Sequence, residues 1–302
     1  MGTKRKKNKR RLVFLIIAAA FALMLGFSAV MLAGELRESK QEEDTFSELA
    51  ALRQPQTAGA TSAPKPAGSI DITIGDVGDG KPDESPKALP EEGTNGPVEK
   101  EKPEEPGEPG PLPQYLPLYQ RNPEFFGWIT VPDTRVDYPV MYCPKRPLYY
   151  MNHDFYGNTS YAGVPFLDAD CDPNGNFYLV YGHKMRSGAM FGGLLVYEDK
   201  AFWEEHPTFR FDTLYEERTY EVVVAMRARI LDRDEREGFR YYNYTSLDTE
   251  EEFEAYMRQA RQLARYDTGI ETAFGDELLV LSTCYHYTKN GRFVIIAKRV
   301  DE

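Results

Sequence analysis

The chain is poor in the residue types that mark several common functional classes. Its 302 residues include three cysteines, four histidines and two tryptophans. Cys143, Cys171 and Cys284 are too few and too scattered for a disulfide framework, or for a zinc site built from closely paired ligands. One of the three must stay unpaired, and that role falls to Cys284. Cys143 and Cys171 read as two buried or idle thiols, with a bridge in an oxidising exterior as the alternative. Basic residues are also in short supply, with 36 Lys and Arg against 48 Asp and Glu and a formal net charge of −12. Seven of those bases precede Leu12 and no acid precedes Glu35, so the remainder is more acidic still. Such a surface repels phosphates and argues against a nucleic-acid partner; it reads first as a solubilising surface.

Long apolar runs are scarce too. The run from Leu12 to Gly34 is uncharged and follows the cluster Lys4 to Arg11. A helix of that length, at about 1.5 Å per residue, crosses a hydrocarbon core of roughly 30 Å with some tilt. The bases predict residues 1–11 as a cytoplasmic tail and 12–34 as a single-pass anchor in the cell membrane, with everything after Gly34 outside. A cleaved signal peptide has a shorter apolar region, about 7 to 15 residues, ending in a small-x-small site, so an uncleaved anchor is expected.

Twelve of the 21 prolines lie between Pro55 and Pro113, interleaved with Glu, Gly, Ser and Lys. A segment of that composition cannot bury enough apolar surface to offset its chain entropy. Residues 35–113 are therefore expected to be an extracellular linker with a reach of about 50 Å, letting a folded head search a zone above the membrane. Within it, Glu35 to Arg53 is a candidate short juxtamembrane helix.

From Gln114 onward aromatic residues become frequent, and residues 114–302 are expected to form one mainly β domain. Strand-like runs occur at Gly127 to Val131, Arg135 to Tyr142, Val164 to Leu167, Phe177 to Tyr181, Thr208 to Phe211 and Thr219 to Ile230. With two more near the C-terminus they suggest a closed barrel of about eight strands. Short helices are expected around Leu116 to Asn122 and within Ser187 to Glu205. The strongest helix signal spans about 248–265. There Phe253, Tyr256, Met257, Ala260 and Ala264 share a face, and Asp248 and Glu251 have capping-box spacing.

The stretch Glu277 to Lys298 carries the chemistry. Two apolar runs, Leu278 to Leu281 and Phe293 to Ala297, read as adjacent strands joined by a turn containing Asn290-Gly291. That hairpin brings Arg292 level with Cys284 at a strand end. A thiol beside a guanidinium is a nucleophile with an oxyanion partner in reach. The bland reading of a strand-end cysteine, a buried structural thiol, remains open on this segment alone.

The same residues resemble the sortases. Leu281-Ser282-Thr283-Cys284, followed by Arg292 in R-F-V-I-I-A-K, looks like their catalytic signature, and Tyr181-Gly182-His183 like their histidine segment. The blocks F-G-W-I at Phe126, V-D-Y-P-V at Val136, Y-Y-M-N-H-D-F at Tyr149 and M-F-G-G-L at Met190 agree with class B, as does a long helix between the strands ending at Ile230 and beginning at Leu278. The resemblance implies a cysteine transpeptidase of a Gram-positive-type cell surface, acting through a thioacyl-enzyme on secreted proteins that bear a C-terminal pentapeptide sorting signal. Cys284 is then the nucleophile, His183 the acid and base, and Arg292 stabilises the oxyanion or holds the peptide. It also implies substrate-binding positions at Ser282, which shares the face of Cys284, at Thr283, at Met151, and at Tyr242, Tyr244 and Thr245, where aromatic packing is the rival reading. Acidic side chains matching the class A calcium site are not evident, so neither metal nor cofactor is expected.

The acceptor amine implied is a peptidoglycan precursor or, alternatively, a pilin lysine. A cysteine peptidase releasing to water is a rival, although papain-like enzymes place cysteine before histidine. An inactive tethered binding module is the non-enzyme rival. Of the other histidines, His153 reads as a packing or hydrogen-bonding residue, His206 as a solvent-facing loop residue, and His286 as a rim residue or a second group acting on the thiol.

Overall fold

The computed structural model describes residues 110–300, residues 43–53, and positions 21, 24–29, 31, 33, 34, 37 and 40. Most of the expected anchor at 12–34 and the linker stretch 54–109 lie outside these residues. Among the described residues no helix is long and apolar enough to cross a membrane.

Eight strands close into a barrel in the order β1-β2-β3-β4-β7-β8-β6-β5. They are β1 (Phe125–Thr130), β2 (Asp137–Met141), β3 (Phe166–Leu167), β4 (Phe177–Gly182), β5 (Thr208–Thr213), β6 (Thr219–Arg229), β7 (Leu278–Cys284) and β8 (Gly291–Val300). Closure leaves no open sheet edge. Pairs β2/β3 and β4/β7 are parallel and the rest antiparallel. The parallel β4/β7 contact needs a long crossover, and the helices supply part of it. Strands β4 and β7 are apolar almost throughout, because one face fills the barrel and the other lies under the β6–β7 connection.

Residues 43–53 form a helix, here α1, in agreement with the candidate at Glu35 to Arg53. Its docking on the barrel was not foreseen. Phe46 and Leu49 are buried, with Ala50 partly so, and Phe46 meets Tyr138 of β2 edge-to-face at 5.0 Å. Arg53 lies 4.8 Å from the Trp128 ring centroid, donates to Thr130 and pairs with Asp137 at 3.4 Å. Spacing at i, i+3, i+4 and i+7 puts these four side chains on one face, too few for an 11-residue window in an acidic tract to advertise a partner. Residues 110–113 also belong to the folded unit, since Leu112 N–H donates to the Leu214 carbonyl.

Helix α2 (Leu116–Arg121) is where expected, and the Ser187 to Glu205 stretch holds a 3-10 segment, Phe191–Glu198, followed by α3 (Lys200–Glu205). Helix α4 (Glu250–Gln262) buries Phe253, Tyr256, Met257 and Ala260. Its cap is Thr249 rather than Asp248: Thr249 is extended and its hydroxyl accepts from Glu252 N–H, while Asp248 accepts from Ser246. The helix stops short of 265 because Arg265 N–H is committed to the Ala225 carbonyl of β6, and Ala264 bridges Met226.

Candidate active site

Three neighbouring strand ends carry the candidate residues. In the parallel β4/β7 pair Gly182 stands opposite Thr283, so His183 and Cys284 leave their strands side by side. In the antiparallel β7/β8 pair Cys284 stands opposite Arg292. With strands about 4.8 Å apart, the register places the Cys284 backbone between those of His183 and Arg292. The register thus brings His183, a hundred positions upstream, to the strand end that already holds Cys284 and Arg292.

Local sequence explains each position. The β7–β8 turn needs Asn290 at φ 57, and Gly291 packs so tightly that a Cβ there would lie 2.1 Å from the Tyr285 carbonyl oxygen. Gly182 lets the Phe191 ring approach, since a Cβ would sit 2.6 Å from it, and the His183 carbonyl accepts from Phe191 N–H. The Y-G-H and M-F-G-G-L blocks are therefore one packing unit beneath His183.

Cys284 is half-buried, whereas the other two thiols are enclosed. Burial pushes Cys171 up to about 12. Burial, then donation to the Glu124 carboxylate, raises Cys143 as well. Neither is a usable thiolate near neutral pH. Arg292 donates only to the Gly291 and Asn290 carbonyls of its own turn, and no carboxylate among the described residues pairs with it. Its remaining donors are open to an incoming anion.

The expected substrate-binding residues divide. Met151 is exposed, and its main-chain oxygen accepts from His183 Nε2 at 2.7 Å. Ser282 is buried, its hydroxyl 2.7 Å from that of Tyr241, and Thr283 is buried with no partner for its hydroxyl. Neither side chain is open to a peptide lying on the surface. Tyr242 accepts from Leu231 N–H and Arg240, pinning the β6–β7 connection. Tyr244 packs on Phe239 and Tyr256, which is the packing reading, and Thr245 is half-buried beside it.

His153 stacks on Tyr149 at 3.9 Å and bonds its carbonyl, and His286 is exposed on the β7–β8 turn. His206 is not a free loop residue. It caps α3, stacks on Phe202 and pairs with Asp133 at 2.6 Å.

Glu198, which sequence reasoning passed over, binds the segment after Cys284. It accepts from Tyr285 at 2.8 Å and from Arg227, whose guanidinium covers the Tyr285 and Tyr287 rings. Burial would raise its pKa, but these donors outweigh burial and lower it. No local pattern announces such a residue, because its partners lie 29 and 87 positions away.

Among the described residues no group of three His, Cys, Asp or Glu side chains is placed to hold a metal ion. Two clefts, one along α4 at Phe253, Met257 and Arg261 and one between α1 and the barrel at Phe46, Tyr138 and Met190, contain none of the candidate residues.

No family model matches the chain. It is 32% identical to sortase B of Listeria monocytogenes over 194 residues, covering 61% of this chain and 72% of that protein. Sortase B of Staphylococcus aureus is 25% identical over 191 residues, 62% of this chain and 74% of the relative. The crystal structure of Bacillus anthracis sortase B in complex with AAEK1 superposes with a TM-score of 0.55 at 29% identity, over 63% of this chain and 85% of that one. Identity and coverage at this level, joined to a closed barrel whose adjacent strand ends hold histidine, cysteine and arginine, place the chain in the sortase B family of cysteine transpeptidases.

Proposed function

We propose that this transpeptidase cleaves a C-terminal sorting signal of secreted proteins and transfers the acyl group to an amine of a peptidoglycan precursor. The observation that carries the residue roles is the register of β4, β7 and β8, which sets Cys284 between His183 and Arg292. The Cys284 thiolate attacks the scissile carbonyl carbon. Arg292, with no carboxylate partner among the described residues, donates to the oxygen as it gains charge. The carbon–nitrogen bond breaks, and a proton from His183 leaves with the amine, giving a thioester. The acceptor amine then attacks the thioester carbonyl, His183 takes its proton, and the thiolate is regenerated.

The same reading anchors the enzyme in the cell membrane through residues 12–34, with the catalytic unit outside. In support, Phe21, Met24, Leu25, Phe27 and Met31 are each more than half exposed, an apolar surface that lipid would cover.

Incubating the full-length protein with a library of sorting-signal peptides, with and without an amine acceptor, tests the proposal. Mass spectrometry is expected to find the acyl adduct on Cys284 and none in Cys284→Ala. An adduct on Cys143 or Cys171 sinks the assignment, and hydrolysis that persists at saturating amine favours the peptidase reading. Arg292→Lys keeps the charge but loses the planar fork. It is expected to lower the acylation rate on the order of 10²- to 10³-fold with a much smaller loss of peptide affinity.

A further inference from the structure

His183 Nε2 lies 2.7 Å from the Met151 main-chain oxygen. A carbonyl oxygen only accepts, so this nitrogen carries the proton. We propose that the Met151 carbonyl is the positioning group for His183. It holds the neutral ring as the Nε2–H tautomer and leaves Nδ1 as the nitrogen that exchanges protons with the reacting groups. The second part rests on the reading of His183 as acid and base.

The carbonyl is itself held in place. Met151 ends the 3-10 segment Tyr149–Met151, and residues 160–164 run against that segment. Val164 N–H donates to the Tyr150 carbonyl and Ser160 N–H to the Asn152 carbonyl, each at 3.0 Å, so the chain is tied on both sides of Met151. Between those ties stands Gly163 at φ +60, its N–H on Ser160 Oγ. A Cβ on Gly163 would lie 2.6 Å from the Met151 oxygen and 2.4 Å from that of Tyr150. Only glycine permits both the left-handed backbone and this approach. Gly163 therefore sets where the acceptor sits, and the acceptor sets the imidazole.

The proton count follows. When His183 is charged, Nε2–H stays on the Met151 oxygen and the Nδ1 proton is the one passed to the departing amine. When the acceptor amine arrives, Nδ1 takes its proton back and the Nε2 bond is unchanged throughout. The carbonyl does for this histidine what a carboxylate does in a Ser-His-Asp triad, fixing the tautomer without joining the proton transfer.

The direct measurement is a long-range ¹H–¹⁵N correlation spectrum of the full chain in detergent micelles, labelled at histidine and recorded where the ring is neutral. The His183 signals are identified by their loss in His183→Gln. The expected pattern is protonated Nε2 and bare Nδ1; a protonated Nδ1, or fast averaging of the two nitrogens, overturns the proposal. The kinetic arm compares Gly163→Ala with Gly157→Ala. Gly157 also has positive φ, at +83, but its Cβ would meet only the Tyr149 hydroxyl, at 3.1 Å. Both variants carry left-handed strain, and only the first displaces the Met151 carbonyl. Gly163→Ala is expected to lower kcat on the order of 10- to 100-fold relative to Gly157→Ala, with a much smaller change in KM. Equal kcat values overturn the positioning role, and if Gly163→Ala fails to fold the wild-type spectrum still decides. Full turnover in His183→Gln would defeat the acid–base reading alone, since the tautomer is measured independently of activity.

Discussion

Two neighbouring hydroxyls on β7 sit in opposite circumstances. Ser282 is buried and bonded to Tyr241, whereas Thr283 is buried with nothing on its Oγ1. Burying a hydroxyl without a partner costs about 1 to 3 kcal/mol in mutational series, and leaving one behind after deleting its partner costs about the same. Thr283→Val is therefore expected to raise stability on the order of 1 kcal/mol and to retain acylation, whereas Tyr241→Phe is expected to lower stability by about 1 to 3 kcal/mol. Thermal melts of both variants, with acylation rates alongside, check the pair; a destabilised Thr283→Val reveals a partner for that hydroxyl. The alternation of side chains on a strand made Ser282 and Cys284 legible as one face. It could not say that the β6–β7 connection lays Tyr241 over Ser282, because that contact joins residues 41 positions apart.

Helix ends show how close sequence reasoning came and where it slipped. The apolar stripe of α4 was readable from its 3.6-residue period, since packing against the barrel demands it. Its cap was misplaced by one residue because both D-x-x-E at Asp248 and T-x-x-E at Thr249 satisfy the same pattern. Only the backbone conformation decides between them. Thr249→Ala is expected to cost about 0.5 to 2 kcal/mol in chemical denaturation, and Asp248→Ala clearly less; the reverse order would restore Asp248 as the cap. At the end of α3 the two nitrogens of His206 face the Phe202 carbonyl and the Asp133 carboxylate, and a neutral ring has one N–H for two acceptors. The hydrogen bond to Asp133, the largest influence, raises the pKa of this histidine in the folded state. The stabilisation is thus complete below the unfolded value of about 6.5 and is lost as pH rises through the raised one. Asp133→Asn is expected to lower the melting temperature in mild acid and to converge with wild type in alkali. A gap that widens with pH would show the opposite linkage.

Across the whole molecule, the barrel and its reactive end were legible because short apolar runs rich in branched and aromatic side chains, bounded by turns, read as strands even where burial on both faces removes the alternation, and because Cys284 and Arg292 flank one short turn. The relation between the barrel and the N-terminal part was not legible, since composition alone describes residues 35–113 as one tract. The docking of α1 divides that tract. Phe46 and Arg53 are seated on β2 and β1, Leu49 is buried on the same helix face, and the Tyr138 that meets Phe46 also accepts from Met190 N–H in the segment after His183. If residues 12–34 span the membrane as proposed, only the short stretch 35–42 separates the span from α1 and the barrel it docks on, and the Pro-rich residues 54–109 connect two parts of one folded unit instead of setting its reach. Loop-closure entropy changes by only about 0.6 kcal/mol when such a connection is halved, so removing half of it is expected to leave docking and activity nearly unchanged. Burying a charge in place of Leu49 is far costlier, and Leu49→Asp is expected to release α1. Hydrogen exchange on the full chain in micelles reads both variants. Residues 43–53 should stay protected in the shortened chain and lose protection in Leu49→Asp. Loss of protection on shortening alone would mean that the connection, not the Phe46–Leu49–Arg53 face, holds the helix in place.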